Sequence, residues 1–134
     1  MRKVTQIPLA SGLASAIRFF PGEAQQLASY LVGDSVYDLM ASRHAKEADI
    51  FHVFNNQGLR SMKVAKKHGA VVVVARSSAH PRVQERILRD DSQLHSGTAR
   101  LSRLLVERHV SEYELADFIF VPSQFVWDTM LQEG

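Results

Sequence analysis

Short apolar runs alternate with amphipathic stretches along most of this chain. The runs at residues 49–54, 70–75 and 117–122 are rich in Val, Ile and Phe, which favours β-strands. A shorter β-like run at residues 4–9 also predicts a strand. Between the runs, apolar residues recur at the 3.6-residue spacing of α-helices, and the connections are a few residues long. This alternation predicts a parallel sheet with right-handed crossovers.

Five amphipathic stretches in the later part of the chain predict helices, and another is expected after Pro21. Gly69 is placed to end the second of the five, and Ser123 to cap the start of the last. The five stretches lie at residues 34–46, 59–68, 82–89, 99–116 and 123–134.

Apolar periodicity predicts a packed face on the first and on the last of these helices. The face of the first consists of Val36, Leu39, Met40 and Arg43. The face of the last consists of Val126, Trp127, Met130 and Leu131.

The run AVVVVA at residues 70–75 is apolar at every position, as expected when both faces of a strand are covered. With the alternating order, it predicts one α/β domain over residues 1–134. The expected architecture is a small Rossmann-like three-layer fold, with about four parallel strands and helices on both faces of the sheet.

Composition agrees with a soluble globular protein, because 46% of the 134 residues are hydrophobic and 22% are charged. No apolar run approaches the about 18–20 residues that span a bilayer, and the start of the chain has no secretory h-region. The absence of cysteine excludes disulfides and thiolate metal sites. We therefore expect a cytoplasmic protein.

The charge is unevenly distributed along the chain. Residues 58–109 carry eleven Lys or Arg against four Asp or Glu, although the net charge of the whole chain is only +2. Such a basic middle suits phosphate-bearing ligands, anionic lipid headgroups or nucleic acid. A solvated helix face is the alternative, and nucleic acid is disfavoured because aromatic residues for base stacking are not interleaved with the basic ones.

Three predicted strands run into polar residues. In an open parallel sheet, ligands bind beyond the carboxyl ends of the strands, near helix N-termini. Turn formation and helix capping explain any one of these sets alone, but three sets on one edge predict a cleft. The candidate binding residues are Asn55, Asn56 and Gln57 after the second predicted strand, Arg76, Ser77, Ser78 and His80 after the third, and Ser123 after the fourth.

His80 is the first candidate for a catalytic group, because it lies at the mouth of the most apolar strand; capping a turn at Pro81 is the alternative. Arg76 suits a phosphate or a carboxylate, or else a salt bridge to a neighbouring helix. No metal site is expected, because the histidines lack H-x-x-x-H or H-E-x-x-H spacing. The chain also lacks a P-loop, a G-x-G-x-x-G fingerprint and a G-x-S-x-G elbow.

Taken in order, these segments resemble the N-terminal half of retaining GT-B glycosyltransferases of family four. The resemblance covers residues 48–134, through ADIFHVF, a helix rich in Ala and Lys that is closed by Gly, a serine- and histidine-containing loop ending in HP, and the pattern E-x-E-x-A-D followed by V-P-S-x-F-V. The last two patterns are Glu112, Glu114, Ala116 and Asp117, then Val121, Pro122, Ser123, Phe125 and Val126.

The resemblance implies transfer of a sugar from a nucleotide-sugar co-substrate to a sugar or lipid-linked acceptor, with retention and without a cofactor or an essential metal. It implies that His80 lies beside the transferred sugar and that Asn55, Asn56 and Gln57 bind hydroxyl groups. Enzymes of this kind continue into a C-terminal donor-binding domain, whereas this sequence ends at Gly134. The chain alone is therefore expected to be inactive.

Two alternatives remain open at this point. The chain could be a non-catalytic Rossmann-like module that forms a homodimer through exposed sheet edges. It could also bind an anionic surface through its basic middle, which suits a lipid-linked acceptor and a peripheral position at the inner membrane face.

Overall fold

A computed structural model describes residues 34–90 and 98–134, which form a parallel three-stranded sheet with helices. The order of the strands in the sheet is β1-β2-β3, and each pairs in parallel with the next. The elements are helix α1 (Asp34–Ala45), strand β1 (Ile50–Phe54), helix α2 (Leu59–Lys67), strand β2 (Val71–Ala75), helix α3 (Pro81–Asp90), helix α4 (Thr98–Leu115), strand β3 (Phe118–Phe120) and helix α5 (Gln124–Glu133).

The α/β class predicted from the sequence is confirmed, and each described element lies where its periodicity placed it. The number of strands differs, because the described residues contain three strands where about four were expected. The strand predicted at residues 4–9 and the helix predicted after Pro21 lie outside the described residues. A parallel α/β sheet is thus shown, whereas the finer Rossmann-like assignment stays a prediction.

The core lies between one face of the sheet and helices α2 and α4. Val72 and Val74 of β2 have no exposed surface, and they share the core with Met62 and Ala65 of α2. Tyr113, Leu115 and Ala116, at the end of α4 and just after it, pack against the same cluster. Alternate residues of β2 therefore supply the apolar side chains that hold the helices on the sheet.

The opposite face of the sheet is exposed among the described residues, whose helices lie on one side, so helices on both faces stay a prediction that these residues do not test. Ile50, Phe54, Phe118 and Phe120 are 61–68% exposed, and Val71 of the apolar run is also exposed. The strand order gives the reason. Both crossovers step in the same direction across the sheet, and right-handed crossovers in one direction place their helices on one face.

The packed faces of α1 and α5 follow the prediction only in part. The buried residues of α1 are Asp38, Ser42 and Ala45, while Leu39 is exposed. In α5, Val126 and Thr129 are buried, whereas Trp127 and Leu131 are exposed. Apolar spacing failed here because Asp38 bonds to the first turn of α2 and Thr129 bonds to the loop after β2, so polar side chains are buried on both helices.

Two predicted helix ends are confirmed. Gly69 has a φ of 85° directly after the end of α2, and its N–H donates to the carbonyl of Lys66 at 3.1 Å. Ser123 is extended, and its hydroxyl accepts from the N–H of Val126 at 3.3 Å, so it caps α5.

Glycine is required at position 58 because the turn after β1 brings this residue against the side chain of Val53 in β1. A Cβ atom at this position would lie 2.6 Å from Cγ2 of Val53, although the backbone of Gly58 is not in the left-handed region. We expect Gly58→Ala to lower the free energy of unfolding by about 1–3 kcal/mol through overpacking. Chemical denaturation measures this loss.

A double mutant tests the cause. Val53→Ala removes Cγ1 and Cγ2, including the nearest atom that the new methyl group meets, and leaves Cβ at 3.2 Å, so Gly58→Ala should cost less in that background. Gly69→Ala is the matched control, because its cost comes from the positive φ and no atom lies within 4 Å of the added Cβ. Equal costs of Gly58→Ala with and without Val53 would contradict the steric explanation.

Candidate functional site

The polar ends of the three strands meet at one edge of the sheet. Phe54, Ala75 and Phe120 are in register, and each is the last residue of its strand. The pairing continues one residue further, because the N–H of Asn55 donates to the carbonyl of Ala75 at 3.0 Å and the N–H of Arg76 donates to Phe120 at 2.8 Å. The predicted convergence of these segments on a shared edge is therefore confirmed.

Asn55 is the hub of a polar network at this edge. Its Oδ1 accepts from Nη1 of Arg76 at 3.1 Å, from the hydroxyl of Tyr113 at 2.9 Å and from Nδ1 of His109. Its Nδ2 donates to Glu112 at 2.7 Å. An amide supplies both an acceptor and donors, so this one side chain joins β1, the loop after β2 and helix α4.

Glu112 has no exposed surface and holds the turn between β1 and α2. Its Oε2 accepts from Nδ2 of Asn55 and from the N–H of Asn56, and its Oε1 accepts from the N–H of Gly58 at 3.1 Å. Asn56 has a φ of 80°, a conformation that Asn adopts more readily than most residues. A buried carboxylate with three donors therefore fixes the backbone of this turn.

Asp38 of α1 does the same for the first turn of α2. Its Oδ2 accepts from the N–H of Arg60 at 2.7 Å, and its Oδ1 accepts from the N–H of Ser61 at 2.8 Å and from the Ser61 hydroxyl at 2.6 Å. Together with Glu112, it engages four backbone N–H groups around this helix N-terminus. The positive end of the helix dipole is thus neutralised by carboxylates of the chain itself.

Arg76 is buried, with 7% of its surface exposed, and it braces the loop that follows β2. Its Nε donates to the carbonyls of Ser78 and Ala79 at 3.0 and 3.1 Å, and its Nη2 donates to Ala79 at 2.6 Å and to Gln84 at 2.9 Å. These bonds assign the guanidinium to loop structure. The binding of a phosphate or carboxylate by Arg76 stays a prediction.

His80 is also buried, with 5% of its surface exposed, and its ring lies 5.6 Å from that of Tyr113 between centroids. Its N–H donates to Oγ1 of Thr129 at 2.9 Å, and its Nδ1 accepts from the N–H of Arg82 at 3.3 Å. The imidazole is therefore buried just before α3, with its ring bonded to the N–H of Arg82 and its backbone bonded to Thr129.

The remaining candidates form the outer part of the edge. Gln57, Ser77 and Ser123 are exposed, and Ser78 is half-buried. Ser123 also caps α5, so its hydroxyl already has one partner. The predicted residues thus divide into an inner set that bonds to the protein, Asn55, Asn56, Arg76 and His80, and an outer set that faces solvent, Gln57, Ser77, Ser78 and Ser123.

Burial controls the ionisation of the inner network. The pKa of His109 is lowered to about 4, first by burial and then by the nearby Arg76, Arg108 and His80. Its ring is therefore neutral at pH 7 and donates from Nδ1 to the amide oxygen of Asn55, which has no proton to give. Burial also raises the pKa of Tyr113, which keeps this hydroxyl protonated as a second donor to the same oxygen.

Arg108 is the cation that faces the carboxylates of this region. Its Nη2 lies 3.9 Å from Oδ2 of Asp38, and its charge opposes the effect of burial, which raises the pKa of Asp34 and of Glu112. Among the described residues, Nε and Nη2 of Arg108 and Oδ1 of Asn56 are buried atoms without a hydrogen-bond partner. Arg108 thus acts mainly through its charge.

Sequence reasoning missed five residues that organise this edge. Glu112 was seen only as part of a motif, and His109 was weighed only as a metal ligand. The available signal was a polar residue on the side of a helix that faces the protein, as at Asp38 and Thr129. A search for apolar periodicity does not count polar residues, so it passes over such positions. The five residues are Asp38, His109, Glu112, Tyr113 and Thr129.

Comparison of the chain with models of known protein families, with curated proteins and with solved structures finds no match. Within residues 34–90 and 98–134, no three His, Asp or Glu side chains cluster as a metal site would require. None of the helices in these ranges combines the length and hydropathy of a membrane span.

Glu112 is expected to determine the stability of the edge. Glu112→Gln keeps the shape of the side chain but turns an amide N–H₂ toward backbone donors, so a buried N–H loses its acceptor. The expected loss in unfolding free energy is about 1–3 kcal/mol, measured by chemical denaturation. Glu114→Gln, two residues away at an exposed position, is the control and should change stability little. Equal effects of the two substitutions would contradict the role of Glu112.

His109 should make stability depend on pH. Its pKa of about 4 in the folded chain lies below the ordinary histidine value of about 6.5, so the unfolded chain binds a proton first as the pH falls. The stability contributed by the neutral ring is complete above pH 6.5. It is lost between pH 6.5 and 4, by an amount on the order of 2–3 kcal/mol.

Denaturation curves of the parent and of His109→Gln across pH 4–8 measure this contribution as a difference in slope. His44→Gln replaces an exposed histidine at the end of α1 and serves as the control. A parent and a His109→Gln variant with the same slope below pH 6.5 would show that His109 is not buried as a neutral ring.

Proposed function

We propose that this chain is the acceptor-side domain of a glycosyltransferase and holds the hydroxyl groups of a sugar acceptor at the carboxyl edge of its sheet. The observation that carries the proposal is the meeting of the segments after β1, β2 and β3 at one edge, in the order in which the family-four pattern contains them. Ligands of open parallel sheets bind at this edge.

The chemistry of the outer set supports a neutral ligand rich in hydroxyl groups. Ser77, Ser78 and Ser123 carry hydroxyls, and Gln57 carries an amide, so each can both donate and accept a hydrogen bond. Every sugar hydroxyl has the same double capacity. The inner set supports these residues from below, because Arg76 fixes the carbonyls of Ser78 and Ala79.

The occupied helix N-terminus supports placing the donor elsewhere. A diphosphate bound at the turn after β1 would need backbone N–H groups as donors. Those of Asn56, Gly58, Arg60 and Ser61 already donate to Glu112 and Asp38, whose negative charges would also repel it. The proposal therefore assigns the nucleotide-sugar co-substrate to a separate donor-binding domain.

The exposed basic residues of α2 support a lipid-linked acceptor. Arg60, Lys63 and Lys67 are exposed on one side of this helix, and Arg60 lies in the turn nearest the binding edge. Lys66 instead pairs with Asp117 at 2.9 Å. Three exposed cations on one face suit an anionic surface, such as the inner face of a membrane.

Titration monitored by NMR tests the proposal on the chain itself. Glucose, galactose, mannose and maltose are the acceptor probes, and we expect Kd values of about 1 mM or weaker, as for small ligands with few contacts. Shifts should concentrate at Gln57, Ser77, Ser78 and Ser123. UDP-glucose and GDP-mannose should show no diphosphate-dependent binding at the turn after β1.

Two controls make the outcome decisive. Ser77→Ala removes an exposed hydroxyl at the edge and should weaken sugar binding, whereas Ser111→Ala removes a hydroxyl that donates to Glu107 within α4 and should not. Micromolar binding of a nucleotide sugar to the chain would contradict the assignment of the donor to another domain. Sugar-induced shifts that avoid the edge, or none for any probe, would contradict the acceptor site.

A further inference from the structure

The loop that carries His80 is anchored to a helix more than forty residues away in sequence. The N–H of His80 donates to Oγ1 of Thr129 in α5 at 2.9 Å, and Thr129 is buried with 5% of its surface exposed. This bond joins the loop after β2 to the helix after β3. The Thr129 side chain therefore fixes the backbone of His80 from a separate helix.

The hydroxyl of Thr129 is suited to this contact because its proton is already used. Thr129 donates from Oγ1 to the carbonyl of Val126 at 2.7 Å, one turn back in α5. With its proton directed there, the oxygen presents lone pairs to the N–H of His80. Serine could make both bonds, whereas valine has the same shape and could make neither.

The imidazole of His80 is held in one tautomer by a second contact. The N–H of Arg82 donates to its Nδ1 at 3.3 Å, so Nδ1 is the acceptor and the proton of the neutral ring lies on Nε2. Burial lowers the pKa of His80, with the charges of Arg82, Arg76 and Arg86 acting in the same direction and Glu133 against them. The ring is thus neutral at pH 7 and offers an N–H.

We propose that Thr129 is a positioning residue that keeps His80 at the binding edge as an Nε2–H hydrogen-bond donor. The bond to Thr129 sets where the backbone of residue 80 lies, which sets whether Nδ1 meets the N–H of Arg82. An Nε2–H group donates to an oxygen of a ligand and does not remove a proton from it. The consequence for ligand binding rests on the proposed function, whereas the tautomer and its dependence on Thr129 do not.

Nitrogen-15 NMR of the histidine rings tests the tautomer without any ligand. In the parent chain at pH 7, the His80 ring should show the pattern of a single Nε2–H tautomer. Thr129→Val should give mixed tautomers at His80, and Thr129→Ser should restore the parent pattern. Ser42→Ala is the control, because Ser42 is also buried and donates to a carbonyl one turn back in its helix, at 2.8 Å from Leu39.

Each outcome decides the proposal. An Nδ1–H or doubly protonated ring in the parent chain would overturn it, whether or not any variant folds. A folded Thr129→Val variant with an unchanged His80 pattern would overturn the role of Thr129, as would a Thr129→Ser variant that fails to restore it.

The consequence for ligand binding is measured separately. With the same sugar probes, Thr129→Val should weaken binding by about three- to tenfold, the range expected for one hydrogen bond, and Thr129→Ser by less than about twofold. A change of tautomer without a change in affinity would leave Thr129 as the residue that positions His80 and would show that His80 does not contact the sugar. Absence of any sugar binding would instead contradict the proposed function alone.

Discussion

The carboxylate of Glu112 forms the interactions on which the carboxyl edge of the sheet depends. It is fully buried, and it accepts hydrogen bonds from the side chain of Asn55 and from the backbone of Asn56 and Gly58. A buried charge is costly unless donors surround it, and here the donors come from one turn. The last part of α4 is thereby tied to the end of β1. Because Asn55 in turn contacts Arg76, His109 and Tyr113, the same bond sets the position of the loop after β2.

The polar residues of the edge fall into an inner set bonded to the protein and an outer set exposed to solvent. The inner residues, Asn55, Arg76 and His80, bond to other parts of the chain and determine its shape. The outer residues have solvent-accessible side chains, and the proposed function assigns these to a ligand. Such a division is expected of a site whose binding groups must be held in place, since an exposed hydroxyl is useful only when its backbone is fixed. It also explains why a cation and an imidazole follow the apolar run of β2.

Electrostatics narrow the class of ligand that this edge suits. Helix N-termini at the carboxyl end of a parallel sheet are common anion sites. At α2 the N–H groups are taken by Asp38 and Glu112, and at α5 Ser123 caps the helix. At α3, Pro81 has no N–H and the N–H of Arg82 bonds to His80. Under the proposed function, these engaged N–H groups favour a neutral, hydroxyl-bearing ligand over a phosphate.

The sequence by itself determined the α/β class, the described strands and helices, and the edge at which their polar ends meet. Short-range physics suffices for these features, because apolar spacing, Gly69 and Ser123 act within a few residues. Only the tertiary structure decided that one sheet face is open in the described residues and that Arg76 braces a loop. It also decided that Glu112, Asp38 and Thr129 organise the edge. Their partners lie tens of residues away, so their roles follow from which loops packing brings together, and periodicity along the chain contains no signal of that.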